Sequence, residues 1–65
     1  MYNGVIIHFS AASGFGHVLS EEKDEYCFYT NDIAIKADLM KRGDKVCFNI
    51  YKGAGTRAVD VTRCP

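Results

Sequence analysis

Sixty-five residues, 48% of them hydrophobic and 25% charged, make one small globular domain over residues 1–65, with no room for a second lobe or for the deep pocket an enzyme needs. Eight basic and eight acidic side chains cancel, which excludes the broad positive field that drives sequence-independent attraction to nucleic acid. The charges are sorted along the chain, however: residues 1–32 carry Lys23 against five acids, and residues 33–65 carry seven basic residues against Asp38, Asp44 and Asp60, so any basic footprint falls in the second half.

No apolar run reaches the length of a bilayer span and no basic-then-apolar leader opens the sequence, so a cytoplasmic protein is expected. Cys27, Cys47 and Cys64 are an odd set without a close pair in sequence. They predict free thiols in a reducing compartment, with neither a disulfide framework nor a C-x-x-C metal or redox motif.

Three strand-like runs come first, at Tyr2 to Ser10, Gly16 to Ser20 and Tyr26 to Thr30. Small residues at Ala11-Ala12-Ser13-Gly14 permit a tight turn after the first run, and the charged stretch Glu21 to Glu25 reads as a solvated hairpin loop after the second. Strict alternation in the first strand sets Val5 and Ile7 opposite Gly4, Ile6 and His8, and in the third it sets Tyr26 and Phe28 opposite Cys27 and Tyr29. Each run carries ring-bearing residues at alternate positions. An open sheet face of Phe, Tyr and His is what stacking on unpaired bases requires.

Asn31 to Arg42 lacks proline and spaces Ile35 four residues before Leu39, which predicts a long loop with one helical turn. Gly43-Asp44 then opens a fourth strand, Lys45 to Tyr51, whose Val46, Phe48 and Ile50 alternate with Cys47, Asn49 and Tyr51. After the turn Lys52-Gly53-Ala54-Gly55-Thr56 a fifth strand runs from Arg57 to Arg63, with Ala58 or Val59 inward together with Val61. Tyr26, Phe28, Phe48 and Ile50 are expected in the core. Five short strands with one longer connection after the third predict an all-β domain, a five-stranded antiparallel barrel whose closure removes exposed edges.

Several motifs, taken together, carry a family resemblance over nearly the whole chain. Asn3-Gly4-Val5-Ile6-Ile7-His8-Phe9-Ser10, Ser13-Gly14-Phe15-Gly16-His17-Val18 and Tyr26-Cys27-Phe28-Tyr29-Thr30 resemble the opening strand and the two ribonucleoprotein motifs of the bacterial cold-shock proteins. Gly43-Asp44-Lys45-Val46-Cys47-Phe48-Asn49-Ile50 and Arg57-Ala58-Val59-Asp60-Val61 are similar to that family's fourth and fifth strands. The resemblance implies the cold-shock domain, a barrel of the oligonucleotide/oligosaccharide-binding type. It also implies binding of single-stranded RNA or DNA, as an RNA chaperone or as a regulator of transcription or translation.

The chain departs from that family at named positions. His8 stands where the family usually has Trp, Ile7 and Ser13 where it has Lys, His17 and Cys27 where it has Phe, Tyr29 where it has His, and Thr30 where it has another aromatic. Each stacked ring contributes ~1–3 kcal/mol, so these changes point to weakened or specialised binding. Histidine also stacks on bases, and more strongly when protonated.

The residues expected to meet the strand are Phe15, His17, His8, Phe9 and Tyr29 by stacking, with Cys27 on the same face and Lys45, Lys52 and Arg57 supplying charge. Phe15 also reads as a core ring at a turn, and the cations as solvated strand ends. His8, His17 and Cys27 offer metal-type donors side by side, but without a fourth ligand or a metal-motif spacing, so neither metal nor other cofactor is expected. The alternative function keeps the barrel as a protein-interaction module, or as a strand-exchanged homodimer, gripping through Ile7, Cys27 and Tyr29.

Overall fold

The computed structural model of the chain describes residues 1–34 and 40–64. Its strands are β1 (Tyr2–Ser10), β2 (Phe15–Ser20), β3 (Glu25–Tyr29), β4 (Lys45–Lys52) and β5 (Thr56–Arg63). Their ends lie within one residue of those read from alternation and turn residues. A 3₁₀ turn, Thr30–Asp32, opens the long connection, while Ile35 and Leu39, the pair that predicts a helical turn there, lie outside the described residues.

The strands close in the order β1-β2-β3-β5-β4 and back to β1, an all-β barrel consistent with the oligonucleotide/oligosaccharide-binding type. The expectation of a wholly antiparallel barrel needs one correction. β3 and β5 run parallel, meeting at Cys27 and Arg57, and the Ile33–Val61 bridge continues the seam. The reason is parity: directions that alternate around a ring of five cannot all be opposed, so one neighbouring pair must agree. The amide of Ala34 donates to the Val61 carbonyl at 2.8 Å, so the chain leaving β3 helps to seal the join.

Two bulges overturn strict alternation. Ile6 pairs with Val18 and His8 with His17, leaving Ile7 as an extra residue in β1. Ile6 is buried whereas His8 is exposed, and Phe9 turns back toward the core, so Ile6 and His8 point to opposite sides rather than to the same one. In β5 the pairings Asn49–Val59 and Cys47–Thr62 leave Asp60 and Val61 opposite Phe48 alone. Asp60 takes φ +54°, the left-handed region that aspartate tolerates better than most residues, and its carboxylate accepts from Asn49 Nδ2 at 3.2 Å. Ala58 and Val61, three apart, are therefore both sealed inside, which resolves the inward position in favour of Ala58 over Val59.

Ile6, Val18, Phe28, Val46, Phe48, Ala58 and Val61 are fully buried. Ile33 and Met40, at the two ends of the long connection, complete the cluster. Phe28 and Phe48 thus stand in the core as predicted, and Tyr26 and Ile50 pack against its rim, half-buried. Apart from Ile33 and Met40, these side chains project from the inner pleat of the five strands, so the outward positions are left for surface chemistry.

The two glycines around Phe15 serve different ends. Gly14 takes φ +80° in the turn, its amide donating to the Ser10 carbonyl at 2.9 Å. Gly16 lies where a Cβ would stand 2.5 Å from the His8 carbonyl oxygen and 2.9 Å from the Phe28 ring. Gly14→Ala meets no atom and is expected to cost ~1–2 kcal/mol for its backbone conformation alone. Gly16→Ala must push β1 off β2, and a clearly larger loss of melting temperature than for Gly14→Ala is expected by circular dichroism.

The β1–β4 junction is pinned by backbone and charge. Ile6 donates to the Asp44 carbonyl and accepts from the Gly43 amide, and Asp44 Oδ2 takes the Lys41 amide at 3.0 Å and Arg63 Nη2 at 3.2 Å. Partial burial alone raises the Asp44 carboxyl, but the Lys41 hydrogen bond and the Arg63 guanidinium outweigh it and hold it below its ordinary 3.8. A carboxyl lowered in the fold contributes stability above its unfolded value, and that contribution is lost as pH falls through the folded one. Thermal melts should therefore drop more steeply below about pH 4 for the wild type than for Asp44→Asn, with the variant already less stable at neutral pH.

Candidate nucleic-acid interface

β2 alternates cleanly, so Phe15 and His17 face outward while Gly16 and Val18 face the core. The Ile7 bulge turns His8 out beside them: the His8 ring lies 6.0 Å from Phe15 and 5.8 Å from His17, and Phe15 meets His17 edge-on at 5.8 Å. Phe15 is half-buried and lies outside the core cluster, so of its two readings the core ring is set aside.

Register carries this face round the barrel. Phe15 stands opposite Tyr29 and His17 opposite Cys27 across β2 and β3. Cys27 then neighbours Arg57 across the parallel seam, and Arg57 neighbours Tyr51 on β4. His8, His17, Cys27, Arg57 and Tyr51 thus form one row across all five strands, about 19 Å long at ~4.8 Å per strand step. Ser10, Phe15 and Tyr29 lie in the next row.

The Arg57 end is a built cluster. Its guanidinium carbon lies 4.9 Å from the Tyr51 ring centroid and 5.9 Å from that of Tyr29, both tyrosines being half exposed. Arg57 Nε stands 3.3 Å from Asp32 Oδ2, close enough for an ion pair but off the line of a hydrogen bond. Asp32 is buried at 8% exposure and also accepts the Tyr29 amide at 2.9 Å. One carboxylate in the 3₁₀ turn therefore fixes both the Tyr29 backbone and the Arg57 side chain. The Tyr51 ring lies against the bare backbone of Gly53, where a Cβ would collide with it. Cys27, Tyr29, Tyr51 and Arg57, with hairpin residues 54–56, line a shallow groove of about 440 Å³.

Of the residues predicted to meet a strand, His8, Phe15, His17, Cys27, Tyr29 and Arg57 come together on this face, and Lys52 stands next to Tyr51, exposed and paired with Thr56 at the hairpin. Phe9 does not join them. Its ring lies parallel to that of Phe28, 5.8 Å away, against the core, because the bulge reverses the side on which each residue after it falls. Lys45 is also displaced: it pairs with Val5, toward the far end of β1 from His8, and lines a different groove. Tyr51 and Asp32 are additions. Tyr51 was legible as the outward aromatic of an alternating strand, whereas nothing in the spacing of Asp32 and Arg57 signals their contact.

The surface presents aromatic faces with one stacked guanidinium and little net charge, an arrangement fitted to planar, weakly hydrated groups. Among the described residues no three His, Cys, Asp or Glu side chains are placed to hold a metal ion, and no helix is long and apolar enough to cross a membrane. Fold and surface together define a small closed β-barrel with an aromatic track on its outer face. No protein-family model and no curated protein matches this sequence.

Proposed function

We propose that the protein binds single-stranded RNA or DNA, seating unpaired bases on His8, Phe15, His17 and Tyr29 and passing the strand to the Arg57–Tyr51 pair. The observation that carries this reading is the register that sets those rings in adjoining rows on one outward face, from β1 to β4. The likeness of Ser13-Gly14-Phe15-Gly16 and of the fourth strand to the cold-shock proteins supports the same reading, and with it a cytoplasmic RNA chaperone or regulator of transcription or translation. No step of this function makes or breaks a covalent bond.

The face predicts an unusual salt response. Among the described residues Arg57 and Lys52 are the cations beside the track, and each phosphate neutralised on a single strand contributes about 0.7 to the log-log slope, so a slope near −1.4 is expected. Binding of a fluorescent single strand of about 12 nucleotides, followed by anisotropy at several salt concentrations, tests this. The duplex of the same sequence should bind much more weakly, since its bases are already stacked. Failure of the single strand to bind at low salt, or equal binding of the duplex, would overturn the reading in favour of a barrel that grips a protein partner or a second copy of itself.

A further inference from the structure

Cys47 on β4 stands opposite Thr62 on β5, and Cys64 follows two residues later, its amide donating to the Lys45 carbonyl at 3.1 Å. Strand pairing thereby continues past the end of β5 and sets the two thiols on one side of the β4–β5 pair. Their sulfurs are 2.7 Å apart, closer than two non-bonded sulfurs ordinarily approach, and Asn3 Oδ1 on β1 receives the Cys47 thiol at 3.0 Å. Separation along the chain concealed this: the residues that the antiparallel hairpin folds together stand 17 positions apart. Both are half-buried free thiols, and both line a groove of about 530 Å³ with Asn3, Val5 and Lys45, open to small reagents. Cys27 lies apart, in the row with His17 and Arg57.

We propose that Cys47 and Cys64 are a redox-modification site, forming an intramolecular disulfide by exchange with a small-molecule disulfide and so clamping the segment that follows β5 onto β4. The Cys47 thiolate attacks one sulfur of the reagent and expels the other as a thiolate, leaving a mixed disulfide on Cys47. The Cys64 sulfur, losing its proton, then attacks the Cys47 sulfur and expels the second half of the reagent. One reagent disulfide and two protein thiols thus become one protein disulfide and two reagent thiols, with two electrons passing to the reagent. The hydrogen bond with Cys47, and burial after it, push the Cys64 thiol up to about 11, a direction that suits Cys64 to the second, resolving step.

This inference is independent of the nucleic-acid reading, since none of the track residues lines this groove. The full chain is incubated with oxidised glutathione, free thiols are alkylated and the protein is mapped by mass spectrometry. The expected result is one alkylated cysteine, Cys27, instead of the three of the reduced chain, a Cys47–Cys64 cross-linked peptide, and a melting temperature higher by roughly 10–20 °C that dithiothreitol reverses. Cys27→Ser should keep the cross-link. Three alkylated cysteines after oxidation, stable glutathione adducts without a cross-link, or a bridge that includes Cys27 would overturn the proposal.

Discussion

Phe48→Ala is expected to leave a large fraction of the chain unfolded at room temperature. The ring is fully buried, stacks against Tyr2 at 6.0 Å and meets Tyr26 at 5.9 Å, so its removal opens a cavity under the strand that joins β1 to β5. Truncations of this kind cost ~3–5 kcal/mol. A 65-residue domain at typical stability per residue holds only ~3–10 kcal/mol in total. β5 bends over Phe48 at the Asp60 bulge, which gives the site little freedom to collapse. Urea and thermal denaturation followed by circular dichroism measure the loss. A melting temperature within a few degrees of the wild type would mean that the ring is not part of the core.

Phe15→Ala should do the reverse. Its ring touches His8 and His17 on the outside of the barrel, and the turn beside it is set by Gly14 and Gly16, so stability should fall little. A stacked base lost from the track costs ~1–3 kcal/mol, or about 5- to 150-fold in affinity for a single strand. Phe9→Ala is the matched control. Its ring lies on Phe28 against the core, and its removal should lower the melting temperature while leaving single-strand affinity of the folded fraction near that of the wild type. Equal affinities for Phe15→Ala and wild type would remove Phe15 from the interface, and an unfolded Phe15→Ala would return it to the core.

Strand positions, turns and the core rings were legible in the sequence because they depend on local chemistry. A period of two writes itself as Val46, Phe48 and Ile50 against Cys47, Asn49 and Tyr51, and Gly14 and Gly43 mark the backbone conformations that a turn needs. From those signals came the number of strands and the outward rings Phe15, His17 and Tyr29. What the tertiary structure alone decided is whatever depends on how distant segments meet. The bulges at Ile7 and Asp60 are set by pairing with β2 and β4; they turned His8 outward and Phe9 toward the core, and decided for Ala58 over Val59 as the inward residue. The parallel β3–β5 seam follows from closing an odd number of strands, a property of the ring and of no segment in it. The same closure brings Asp32 to Arg57, as the β4–β5 hairpin brings Arg57 to Tyr51 and Cys47 to Cys64. Such contacts leave no periodicity behind, because side chains that meet across a barrel wall are neighbours through strand register and not through spacing along the chain.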